Sequence, residues 1–138
     1  EYKALKKEGF PFMLNSYRST FEEEFSSEKY VSLTFDLYTF TGGAHGFTER
    51  TADTWDMKRG ERVGLSEVCR ECTPEKNIAE VRRQIKENPE IFFPDAETLA
   101  AKNYNPKNFY IKDGDVYVFY PLYSIAPYSS GILSFKIT

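Results

Sequence analysis

The sequence predicts an α+β fold of two layers, an antiparallel β-sheet built from hairpins and packed against one main α-helix. Three observations predict it. Apolar and polar residues alternate in short runs separated by turn residues. One segment, residues 73–88, carries a full set of helix signals. The chain is rich in aromatic residues, with 10 Tyr and 12 Phe, and such rings suit pleated, half-buried surfaces.

Taken in order, residues 1–8 read as a short helix ended by Gly9 and Pro11. Tyr17, Ser19, Phe21, Glu23 and Phe25 alternate with polar neighbours and suggest a strand, although Tyr17, Phe21 and Phe25 also fit a helical spacing. Ser26 to Lys29 reads as a turn. The clearest strand follows, with Val31, Leu33, Phe35 and Leu37 on one face and Ser32, Thr34, Asp36 and Tyr38 on the other. Phe47 to Met57 is its return strand, and Lys58 to Glu61 a second turn. Thr73-Pro74-Glu75 starts a helix: Thr73 caps it, Pro74 suits its first position and Glu75 complements the helix dipole. Ile78, Val81 and Ile85 form its apolar stripe, and Asn88-Pro89 stops it. Residues 95–102 read as another short helical piece. Asn108–Ile111 and Val116–Tyr120 flank Lys112-Asp113-Gly114-Asp115, a hairpin signal because both central residues tolerate positive φ. Leu133, Phe135 and Ile137 alternate in a last strand. Strands joined by short turns are antiparallel, and an apolar sheet face needs a covering layer.

A chain of 138 residues suits one domain spanning residues 1–138, and buries roughly two thirds of its unfolded surface. The net charge of −3 comes without a basic stripe, which excludes nucleic acid as the expected partner. No apolar run approaches the ~20 residues of a membrane span, so membrane association is expected only through an anchor outside this chain. No signal-peptide pattern is visible. The chain opens at Glu1 rather than Met, and reads as a mature or excised segment that leaves room for a membrane anchor upstream.

Residues 39–51, TFTGGAHGFTERT, place three glycines and the sole histidine, His45, in one short stretch. Gly42, Gly43 and Gly46 read as the means of a tight turn needing positive φ. His45 as a general base is the competing reading, and it requires a nucleophile or an orienting carboxylate beside it. The stretch has no phosphate-loop frame. Cys69-Arg70-Glu71-Cys72 is a C-x-x-C. A structural zinc site takes four ligands, and two cysteines and one histidine do not supply them, so neither metal nor cofactor is expected. Cys72 just before a helix start favours a thiolate, but no βαβ context supports a redox dithiol; free thiols and a local disulfide both remain open. Asp36, Asp53 and Asp56 read as a solvated sheet face. Tyr104, Tyr110, Tyr117, Tyr120, Tyr123 and Tyr128 read mostly as core or cross-strand pairs. Residues 120–131, YPLYSIAPYSSG, form a loop, because proline breaks ladder bonding. Such a loop is either packed down on its own body or offered to a partner.

Two stretches, YVSLTFDLYTFTGGAHG at 30–46 and FYIKDGDVYVFYPLYSIAPYSSG at 109–131, together resemble the extracytoplasmic family known as domain of unknown function 3298. Residues 1–40 resemble part of its usual N-terminal neighbour, the related unit 4163, leaving 41–138 as the 3298-like core. Segment 58–107 carries little of the pattern. The module is similar to the sensor region of RsiV-type anti-sigma factors and to the accessory region of PdaC-type peptidoglycan deacetylases. The resemblance implies a bacterial, exported or membrane-anchored α+β module with no catalytic activity of its own. It further implies a sensor or binding role toward a protein or cell-wall ligand, with C-type lysozyme or peptidoglycan as the partner. Ile125, Pro127, Tyr128 and Ser129 are the implied contact residues, and Gly42, Gly43, His45 and Gly46 the signature turn. The alternatives are a lysozyme-binding anti-sigma sensor, a structural accessory domain of a cell-wall enzyme, and an enzyme using His45.

Overall fold

The computed structural model describes Gly9 and residues 15–138; the helix expected at 1–8 lies outside the described residues. Among the described residues, seven strands form two antiparallel sheets. The larger, in the order β1-β2-β3-β4, contains β1 (Ser16–Ser26), β2 (Tyr30–Phe40), β3 (Phe47–Asp56) and the short β4 (Glu61–Arg62). The smaller, β5-β6-β7, contains β5 (Phe109–Lys112), β6 (Asp115–Tyr120) and β7 (Leu133–Lys136). Three helices lie between them in sequence: α1 (Leu65–Val68), α2 (Pro74–Glu87) and α3 (Ala96–Lys102). The α+β class is as the sequence predicts, with two sheets in place of the single one expected.

Local signals explain most of these elements. The Thr73 hydroxyl accepts from the Lys76 amide at 3.4 Å, and Pro74 opens α2. Asp113 and Gly114, with φ of 53° and 85°, make the tight turn between β5 and β6, as an Asp-Gly hairpin requires. Residues 17–25 lie within the strand β1, which settles the helical alternative, with an irregularity between Glu23 and Phe25.

The main core lies between the smaller sheet and the helices. Val81 and Ile85 of α2, Ala96 and Ala100 of α3 and Leu65 of α1 pack with Phe109, Val116, Val118, Tyr120 and Phe135. Cys69 and Cys72 join the same cluster and are disulfide-bonded. The Tyr120 hydroxyl, inside this core, donates to the Ala100 carbonyl at 2.8 Å. Burial pushes its pKa well above the usual phenol range.

The larger sheet behaves differently. The face it turns inward is its polar one: Ser32, Thr34 and Thr54 are buried, while Tyr17, Phe21, Leu37 and Phe47 on the other face are exposed. The helices therefore cover the smaller sheet, and the apolar face of β2 is not the one they pack on. The reason is a seam of hydrogen bonds. Strand β5 packs across β1, β2 and β3. The Ser32 and Thr54 hydroxyls pair at 2.9 Å, and Ser32 Oγ accepts the Ile111 amide at 2.9 Å. Thr34 donates to Glu24, and Lys112 also reaches Glu24, at 3.3 Å.

Ser32→Ala strands the Ile111 N–H in this seam, so it should destabilise by about 1–3 kcal/mol in chemical denaturation. The Tyr120 phenol keeps its proton in the folded protein to higher pH than the ~10 of an unfolded chain. Stability from this group is present below that pH and is lost as pH rises toward the folded value. Tyr120→Phe should therefore lose less stability than the parent protein between about pH 9 and 11, measured by the same denaturation at each pH.

Candidate functional site

The GGAHG turn and the Tyr/Pro loop, distant in sequence, meet in space. Gly42 and Gly43 connect β2 to β3 with φ of 103° and 100°, as the turn reading requires. Gly46 is needed for a different reason than the one expected. Its φ is not left-handed; a Cβ there would overlap the Tyr38 ring. The Arg18 guanidinium also lies over that ring, 5.7 Å from its centroid.

His45 is exposed, yet its ring is held on three sides. It stacks on Tyr128 with centroids 3.7 Å apart and planes 20° from parallel. Its Nδ1 lies 2.9 Å from the Gly46 carbonyl, and its Nε2 lies 3.2 Å from the Tyr123 hydroxyl. A carbonyl only accepts, so Nδ1 carries the proton and Nε2 accepts from Tyr123. Both ring nitrogens are thus engaged, and neither partner is a carboxylate. A general base needs a free acceptor nitrogen facing a substrate proton, so this geometry gives the catalytic reading of His45 no support.

The loop that supplies Tyr128 is both packed down and offered outward. Leu122, Ile125 and Ala126 are buried. The Ile125 carbonyl accepts the Phe93 amide at 3.0 Å, and Asn103 donates to the Ser124 carbonyl at 2.7 Å. The Ser130 hydroxyl donates to the Ile91 carbonyl at 2.7 Å. These bonds clamp the loop at both ends. Between them, Pro127 and Ser129 are exposed and Tyr128 is half-buried. Of the four implied contact residues, Ile125 is a core residue at 1 % exposure. It supports the loop from beneath, where no partner in contact with this surface would reach it.

Tyr123, which the sequence groups with the core and cross-strand tyrosines, belongs instead to the surface. It is 48 % exposed and holds φ at 63°, a left-handed conformation that costs a non-glycine residue roughly 1 kcal/mol or more. That backbone aims its hydroxyl at His45 and its ring toward Tyr128, with centroids 5.7 Å apart. No local pattern marks a tyrosine for such a role. His45, Tyr123, Tyr128 and the adjoining Pro127 form one surface patch.

Asp36, Asp53 and Asp56 do not converge on one another, and each pairs with a different arginine. Asp36 makes a bidentate pair with Arg50 at 2.7 Å, and the hydrogen bonds to Asp36 raise the guanidinium above its ordinary pKa. Asp53 pairs with Arg62 at 3.1 Å, and Asp56 with Arg59 at 3.2 Å. Among the described residues no group of three or more potential metal ligands occurs. Among the described residues, too, no helix is long and apolar enough to cross a membrane.

Because a side chain at position 46 would displace the Tyr38 ring, Gly46→Ala should destabilise by about 1–3 kcal/mol. Adding Tyr38→Ala should remove most of that penalty, which a double-mutant cycle of unfolding free energies will read.

Residues 66–138 match the family described as Protein of unknown function (DUF3298), and residues 1–48 match one described as Deacetylase PdaC. The first match thus takes in the C-x-x-C and helix α2, where the motif resemblance is thin, while the GGAHG turn falls in the second. Among curated proteins, none matches the chain significantly. A solved DUF3298 family member from Bacteroides fragilis aligns over 99 % of this chain and 56 % of its own, with a TM-score of 0.74 and 19 % identity. A second, from Pseudomonas aeruginosa, aligns over 88 % of this chain and 58 % of its own, with a TM-score of 0.62 and 25 % identity. The chain spans a little over half the length of these two relatives. A family match over more than half of its residues, on a fold shared with two solved members, makes this chain a member of the DUF3298 family.

Proposed function

We propose that the chain is a non-catalytic, extracytoplasmic binding or sensor module that recognises a protein or cell-wall ligand through the patch of His45, Tyr123, Pro127, Tyr128 and Ser129. The observation that carries this reading is the His45–Tyr128 stack at 3.7 Å, which joins two separate sequence motifs into one exposed surface. Tyrosine gives contact area at low entropy cost and keeps a polar end, a combination frequent at binding hot spots. The clamped loop beneath it means little ordering remains to be done on association. The strain at Tyr123 supports a functional use as well, since such backbone outliers cluster at binding and catalytic sites.

The buried Cys69–Cys72 disulfide favours an oxidising compartment, where such bonds persist. The match of residues 1–48 to a deacetylase-associated family favours a cell-wall setting. It also supports a second reading, a structural accessory domain of a cell-wall enzyme. Any membrane attachment would come from an anchor outside this chain.

C-type lysozyme is the first partner to test, by calorimetry at two salt concentrations. An acidic domain and a basic enzyme associate weakly by charge alone, and such binding fades with salt. One-to-one, salt-tolerant binding that Tyr128→Ala abolishes, with the melting temperature changed by less than about 4 °C, is the expected result for a sensor. Binding that survives Tyr128→Ala would reject this patch. Peptidoglycan fragments are the parallel test, and indifference to both ligands would favour the accessory reading.

A further inference from the structure

Among the described residues, the larger sheet has a free edge along most of β3. Strand β4 pairs with β3 only at Trp55 and Asp56, and the Val63 amide donates to the Thr54 carbonyl at 2.8 Å. Thr54 therefore turns its backbone groups away from β2. The β2–β3 register runs without a shift from Tyr30–Asp56 to Thr39–Phe47, and along an antiparallel strand the direction of the backbone groups alternates from one residue to the next. The N–H and C=O groups of Thr48, Arg50 and Ala52 consequently point outward as those of Thr54 do, and β4 is too short to pair with them.

Beside this edge lies a cleft of about 760 Å³, whose lining includes Ala52 and Thr54 of β3 together with Pro74, Tyr104, Pro106 and Phe109. Its volume is in the range of a ligand site. Exposed Pro74 and Pro106 and half-buried Tyr104 give the cleft an apolar wall, while Arg62 and Lys107 bring positive charge to it and Asp53 a negative one. Arg62 already pairs with Asp53; Lys107 is exposed and has no ion-pair partner among the described residues. The edge of β1 differs, because a register irregularity between Glu23 and Phe25 interrupts it, a feature that blunts edge pairing. Strand β3 has no such irregularity and no proline.

We propose that the β3 edge and this cleft bind an extended peptide segment of a partner protein, carrying an acidic side chain, by strand addition to Thr48, Arg50 and Ala52. Outward N–H and C=O groups at every second residue are matched by a strand and by few other ligands. The apolar wall takes one of the peptide's alternate side chains, and Lys107 takes its carboxylate. This site is separate from the aromatic patch and does not rest on the reading given for it.

The test uses capped hexapeptides of alternating Val and Thr with Glu, Gln or Lys at one central position. Binding is followed by the fluorescence of the sole tryptophan, Trp55, which lies in β3. The Glu peptide should bind at least about tenfold more tightly than the Lys peptide, a difference of ~1.4 kcal/mol. N-methylating one alternate set of its amides should abolish binding, and methylating the other set should not. In the protein, Ala52→Pro should abolish binding while the fold persists, because the Ala52 N–H serves no strand partner. Lys107→Glu should erase the preference for the Glu peptide. No binding of any peptide at about 1 mM, or equal binding of both methylated sets, would overturn the proposal. So would a stable dimer of the protein alone that Ala52→Pro dissociates, since a second copy would then be the occupant of the edge. The methylation series decides the matter on the unaltered protein even if Ala52→Pro fails to fold.

Discussion

The structure depends on the contact between Ser32 and Ile111. Strand β5 is the edge of the smaller sheet, and the Ile111 N–H on its outer side has no strand of that sheet to bond. The Ser32 hydroxyl accepts it at 2.9 Å while pairing with Thr54. A buried donor left without a partner is costly, so this bond sets where one sheet lies on the other. It also explains why the larger sheet turns serine and threonine inward. Small hydroxyl side chains let β5 approach closely and satisfy its backbone, which larger apolar residues would not do.

That placement positions the surface patch. The turn that follows β2 belongs to the larger sheet, and the loop that follows β6 belongs to the smaller one. With the sheets held at β5, His45 from the first comes to rest on Tyr128 from the second. Two further constraints keep it there. Gly46 leaves room for the Tyr38 ring, and the Tyr123 backbone takes a left-handed conformation that brings its hydroxyl to His45. The patch is thus assembled from rigid parts, and Ile125 below it belongs to the core that makes it rigid.

The same loop answers an apparent choice between packing and recognition. Its apolar residues Leu122, Ile125 and Ala126 face inward, and its hydrogen bonds run to the segment around α3. This leaves Pro127 and Ser129 outward, with Tyr123 beside them. Packing of one half of the loop is what presents the other half.

Much of the fold is legible in local sequence. Thr73-Pro74 opens a helix and Asp113-Gly114 closes a hairpin because capping and positive φ are properties of a few adjacent residues. The alternation in β2 likewise announces a strand. What alternation cannot announce is which face is buried, since that depends on the polar needs of a strand whose Ile111 lies 79 positions from Ser32. The signature turn is legible as a turn, and Gly42 and Gly43 serve it for the expected reason; the reason for Gly46 lies in a ring across the strand. The pairing of Cys69 with Cys72 stays open until the two are seen bonded in the core. By itself the sequence determined most of the elements, though not α1 or β4, together with the α+β class and the two motifs, because these rest on interactions between near neighbours. Only the tertiary structure decided that the motifs form one surface, that Tyr123 completes it and that Ile125 does not, because burial and stacking are set by contacts between segments that share no local pattern.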